Sequence, residues 1–199
     1  MKIRGSYMDE LTKILRNATG AIERAYFHLS VDGGDPIYRE RVYCYELYHQ
    51  MRLLWPSDCQ FLLNGELDKS AHPILGELGV ASSKPDLLVH RPGSMSHNHA
   101  IIEVKKATTP KHSIRKDLST LDLFIRKAHY QRAIYLFFGN EADERIVPKV
   151  QSAASGFEQV APIELWLHQE AGQPATSNIT LQRTATAAQR HKAKRISKE

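Results

Sequence analysis

The sequence predicts an α/β domain with a central mixed sheet and helices on both faces. Three observations predict it. Two N-terminal segments carry apolar residues at helical spacing, short β-like runs follow them, and a further helical stretch joins the third run to the fourth. A crossover of that length suits parallel pairing.

Taken in order, Leu11, Ile14, Leu15, Ala18, Ile22 and Ala25 recur at helical spacing, which predicts an amphipathic helix over Tyr7–Leu29. Ser30–Pro36, with Gly33 and Gly34, is a break, and Pro36 opens a tyrosine-rich helix that Pro56 stops after Trp55. Four β-like runs come next, at Gln60–Asn64, Asp86–His90, Ala100–Lys105 and Ala133–Phe138. The third and fourth are joined by a helix over Ser113–His129, with Ile114, Leu118, Leu121 and Ile125 on one stripe. A helix over Asp143–Ala154 and a strand over Ile163–His168 complete the expected domain, 1–168. Within it, 1–36 is N-terminal helix and loop and 37–138 is the core, while 169–199 reads as linker and a flexible basic tail.

With 199 residues, 42% hydrophobic and 25% charged, the chain is long enough for one domain with a core, and its proportions exclude wholesale disorder. No apolar stretch reaches the roughly 18 residues of a membrane span, and the polar Met1–Glu10 lacks a signal-peptide core, so a cytoplasmic protein is expected. Cys44 and Cys59 match neither a disulfide framework nor a zinc spacing and read as buried thiols. The net charge of +5 lies entirely at the C-terminus, where Arg183, Arg190, Lys192, Lys194, Arg195 and Lys198 face only Glu199. Arg190, Lys192, Lys194 and Arg195 are therefore the expected nucleic-acid contacts, holding phosphates by counterion release.

The chemistry concentrates in Pro85-Asp86 at the start of one strand and Glu103-Val104-Lys105 at the end of the next. Period-two alternation puts Glu103 and Lys105 on one face and turns Val104 to the other. If the strands are neighbours, Asp86 and Glu103 can share a hard divalent cation, because carboxylate oxygens are the ligands Mg²⁺ accepts while keeping several waters. Ile101, Ile102 and Val104 embed the acid in an apolar run, where a charge needs a partner or a metal.

This pattern resembles the PD-(D/E)XK nuclease superfamily, with its restriction-endonuclease-like fold, over about Ile37–Phe138. The resemblance implies Mg²⁺, or Mn²⁺, held by Asp86 and Glu103 together with Val104, and Lys105 orienting or activating the water that attacks phosphorus. It also implies a helical glutamate as auxiliary ligand, for which Glu46 is the first choice and Glu40 and Glu66 compete. The implied activity is hydrolysis of phosphodiester bonds in nucleic acid, DNA foremost. A chain this small leaves little room for a separate sequence-reading domain, so a homodimer or a protein partner is expected to supply reach and specificity. A noncatalytic nucleic-acid-binding or adaptor protein that keeps the fold is the rival, and the complete set of Asp86, Glu103 and Lys105 favours the enzyme.

Other motifs carry less. His97-Asn98-His99 has no second pair at metal-binding spacing and reads as exposed loop. No nucleophile elbow or phosphate-binding glycine loop is present. Tyr45 and Tyr48 are expected to pack their helix on the sheet, and the basic residues near the ends of the 113–129 helix to form a solvated face.

Overall fold

A computed structural model of the chain describes residues 4–65, 84–94 and 97–183. Six strands form one sheet in the order β3-β4-β5-β6-β7-β8, from β3 (Leu62–Gly65), β4 (Leu87–His90), β5 (Asn98–Lys106), β6 (Arg132–Phe138), β7 (Val160–His168) and β8 (Thr176–Arg183). The β3–β4 and β4–β5 pairs are antiparallel, β5–β6 and β6–β7 parallel, and β7–β8 antiparallel. Both parallel steps run through helices, α4 (Lys111–Arg126) and α5 (Ile146–Ala154). The mixed sheet flanked by helices is therefore as expected.

The alternation of each strand feeds two cores. On one face Leu88, Ile101, Tyr135, Phe137 and Ile163 pack with Leu118, Leu121, Phe124 and Val150 of the crossover helices. On the other, Val104, Leu136, Phe138 and Trp166 meet Leu15 of α1 (Arg4–Gly20), Phe27 of α2 (Arg24–Phe27), and Leu47 and Met51 of α3 (Glu40–Leu53). A bidentate pair from Arg132 to Glu164, both bonds 2.7 Å, locks β6 to β7 and reaches Thr12 of α1 at 3.0 Å.

Three boundaries differ from expectation. The first helix stops at Gly20, because Thr19 turns its hydroxyl back to the Leu15 carbonyl and accepts the Ala175 N–H, both at 2.9 Å, and α2 then starts afresh. Ser30–Pro36 is not merely a break. It lies within a hairpin of β1 (Leu29–Val31) and β2 (Gly34–Ile37), turned at Asp32-Gly33, where Gly33 takes φ +71°. Because β2 uses Pro36 and Ile37, α3 begins only at Glu40.

The largest correction concerns the stretch read as linker from Gln169, since β8 closes the sheet along β7 with Leu181 opposite Ile163 and Ile179 opposite Leu165. Its two apolar residues, Ile179 and Leu181, alternate with the exposed Thr180 and Gln182, too short a pattern to separate from a loop. The domain thus runs to Arg183, and Arg190, Lys192, Lys194 and Arg195 lie outside the described residues. Among the described residues no helix is long and apolar enough to cross a membrane.

Candidate active site

Register brings the motif together. Leu87 pairs with Ile102, so the residue before β4, Asp86, falls opposite Glu103. The β4 ladder ends there, and the Val104 N–H donates to Asp86 Oδ2 at 2.8 Å. On the other side of β5, Glu103 lies opposite Tyr135 of β6. Glu103 and Lys105 share the face covered by α4, while Val104 is buried in the opposite core. Val104 can therefore offer a cation only backbone atoms.

Lys105 is the centre of the cluster. Its Nζ lies 2.8 Å from Glu40 Oε1, in the first turn of α3, and 3.9 Å from Asp117 Oδ2, on α4. Tyr135 donates its hydroxyl to the same Asp117 oxygen at 2.7 Å. Four carboxylates, Glu40, Asp86, Glu103 and Asp117, thus gather around one ammonium, and Glu103 is only 5% exposed.

The electrostatics follow from that imbalance. Burial pushes Glu103 well above the usual carboxylate range, and the charges of Asp86 and Asp117 push it further. Burial also raises Asp86, against the opposing pull of Lys105 and the Val104 N–H. The two carboxyl groups are close enough that each acts on the other, Asp86 raising Glu103. Desolvation raises Asp117 as well, offset in part by Lys105 and the Tyr135 hydroxyl. Burial alone would lower Lys105, yet Asp86, Asp117 and Glu40 together raise it, so it stays an ammonium.

An acid whose folded pKa is raised holds its proton more tightly in the folded state than in the unfolded one. Its contribution to stability is full below the unfolded carboxylate value and is lost as pH rises through the raised one. Buried His168, held down to about 4, works the other way over the same interval, so the effect is read as a difference. Relative to a Glu103→Gln variant, the metal-free protein should melt at progressively lower temperature as pH is taken from about 5 to 8. Paired thermal scans in EDTA check this, and a gap between the two proteins that does not widen with pH would contradict the arrangement.

Several expected residues fall elsewhere. Glu46 is not brought to the cluster with Glu40, since six residues along a helix place it about 240° around the axis. There its Oε1 accepts from Gln50 at 2.7 Å. Glu66 lies outside the described residues. His99 is buried on β5 and stacks on Phe61 at 5.0 Å rather than lying in an exposed loop, and His97 bonds Ser94 at 2.8 Å. Tyr45 is 57% exposed, and the tyrosine that packs α3 on the sheet most deeply is Tyr43, stacked on Phe138 and bonded to His168 Nδ1 at 2.6 Å. Tyr48 packs against the same core as expected. Cys44 is buried as expected, with its thiol pushed up by burial and by Asp86 and Glu40, and Cys59 is half-buried.

Asp117 is the residue that sequence reasoning missed. A signal was present, because an acid interrupts the apolar stripe of α4 between Ile114 and Leu118 and is buried there. A cleft of about 610 Å³ between α2 and the loops after β6 and β7, at Asn140 and Gly172, contains none of the cluster residues.

Among the described residues no group of three or more His, Cys, Asp and Glu is disposed to hold a metal. A pair remains suitable for Mg²⁺, which binds through one or two carboxylates and keeps several waters. Asp86 and Glu103 fit that demand, being adjacent, partly desolvated and mutually repelling when both are ionised. In comparisons with known proteins, the chain matches no family model, no curated protein and no solved structure.

Proposed function

We propose that this protein is a divalent-metal-dependent nuclease of the PD-(D/E)XK kind, hydrolysing phosphodiester bonds of nucleic acid. One observation carries the reading: four carboxylates converge on a single lysine at the end of β5, with Asp86 and Glu103 opposite each other across β4 and β5. Were all four acids ionised, their charge would exceed that of Lys105 by three, an excess that a buried site tolerates only with protons or a cation.

Asp86 and Glu103 would hold the cation. Mg²⁺ when bound supplies Lewis acidity toward a phosphate oxygen and a more acidic water. Lys105, kept protonated, donates rather than accepts, which suits it to orient the attacking water and to offset negative charge building on the phosphate in the transition state. Glu40 fixes the ammonium from α3, and Asp117, itself held by Tyr135, fixes it from α4.

A cleavage assay tests the reading. Plasmid, linear duplex, single-stranded and branched DNA, with an RNA in parallel, are incubated with Mg²⁺, Mn²⁺ or EDTA. Cleavage of at least one substrate with metal and none with EDTA is expected. No cleavage of any substrate with either metal would overturn it.

A further inference from the structure

We infer that the exposed faces of α4 and α5 beside the carboxylate cluster, rather than the C-terminal tail alone, form the surface that seats the phosphate backbone of the nucleic acid. The inference rests on the proposed nuclease reading for the kind of polyanion. The surface itself stands on charge and geometry.

Four cations of two helices lie near the C-terminal end of β5. Lys111, Arg115 and Lys116 occupy the first two turns of α4, and Lys149 extends from α5 to the Ala107 carbonyl at 2.9 Å. Apart from Lys116, whose charge acts on Asp117, their contacts are with neutral groups. Lys111 bonds the neutral Ser152 hydroxyl at 2.6 Å, and the Arg115 guanidinium sits 5.3 Å from the Phe157 ring centroid. Among the described residues none of the four makes an ion pair with a carboxylate.

Arg115 lies against Gly156, where a Cβ would come within 2.5 Å of its guanidinium nitrogens, so glycine leaves the space that the planar group occupies. A planar, always-charged guanidinium presents its donors as a fork that suits phosphate oxygens.

The pattern runs against what the helix itself needs. α4 has no acid in its first turn and no side-chain cap, and its cations sit at the end where the helix dipole is already positive. That arrangement weakens the helix, and local rules broken without gain to the fold are expected at functional sites. A polyanion across this end would relieve the repulsion. Lys116 is close enough to Asp117 to lower its carboxyl, which brings one edge of the surface to the acid beside Lys105.

The test is binding of a fluorescein-labelled 20-base-pair duplex to the full chain in EDTA, where no metal-dependent cleavage can confuse the signal. Affinity is measured from low to high salt for the wild type and for a Lys111→Gln, Arg115→Gln, Lys116→Gln triple variant. If all three contact phosphates, the log-log salt slope should shrink by about 3, and affinity near 0.15 M salt should fall at least about tenfold. A chain lacking 184–199 should lose the same increment when the triple substitution is added. Lys13→Gln, on exposed α1, should change neither quantity. Because neutralising cations at a helix start relieves repulsion, the triple variant should melt no lower than wild type, which separates lost binding from lost folding.

An unchanged slope in the triple variant would overturn the inference. So would equally tight and equally sensitive binding to phosphatidylserine vesicles or to polyglutamate, which would assign the surface to a membrane or an acidic protein. Hydrolysis is scored separately. DNA binding that depends on the surface in a protein that cuts nothing would sink the nuclease reading and leave this one standing, and cleavage with an indifferent surface would do the reverse.

Discussion

Glu103→Gln is expected to reduce hydrolysis by on the order of 1000-fold or more while raising the melting temperature of the metal-free protein at pH 8. The loss follows from removing charge where the reaction needs a cation and its polarised water. The gain follows from the raised carboxyl of Glu103, whose ionised form opposes folding because burial and the neighbouring Asp86 and Asp117 penalise it. Above the raised pKa that penalty is fully present, and the neutral amide removes it. The same substitution should abolish stabilisation by added Mg²⁺, since ligand binding to the folded state alone raises apparent stability. Asp86→Asn should behave alike, with a further cost because its Oδ2 accepts the Val104 N–H. Melting curves in EDTA and in Mg²⁺, read beside a cleavage time course, decide the matter. Full activity, or an undiminished Mg²⁺ shift, would remove Glu103 from the site.

Lys105→Met should do the opposite to stability. It leaves four carboxylates without their shared cation, and removing one partner of a buried ion pair typically costs about 3–5 kcal/mol. The side chain is 15% exposed and Glu40 31%, so the lower end, about 3 kcal/mol, is expected. Turnover should fall on the order of 100-fold or more while divalent-ion binding survives or tightens, because the lost group acts on the reacting atoms and is not a ligand. Calorimetric titration with Mg²⁺ and single-turnover cleavage separate the two effects. Lys106→Met is the control, since Lys106 lies on the opposite face of β5 and should change turnover less than about threefold. If Lys106→Met cripples cleavage and Lys105→Met does not, the role assigned to Lys105 fails.

Much of this was legible in the residues alone. Helix α4 and strands β4 to β7 follow from periodicity and apolar runs, because each buries a continuous face and its composition must comply. The pairing of Asp86 with Glu103 was also readable, since two short neighbouring strands and a two-residue alternation leave few ways to place them. The hairpin at Asp32-Gly33 and strand β8 were harder, because their stability comes from pairing with a partner strand and their own sequences bury little.

What the sequence by itself determined is the set of chemical groups and the face each strand residue takes, because alternation is a property of the backbone. Which helical acids join them was decided by the tertiary structure. Glu40 and Glu46 are on one helix and equally acidic, and only the start of α3 at Glu40, set by β2 ending at Ile37, points the first toward Lys105 and leaves the second bonded to Gln50. Asp117 enters because α4 runs back across β5 and β6, which brings it to the Tyr135 hydroxyl and within 3.9 Å of Lys105. Such meetings depend on distances between elements remote in sequence, which packing sets and local pattern does not encode.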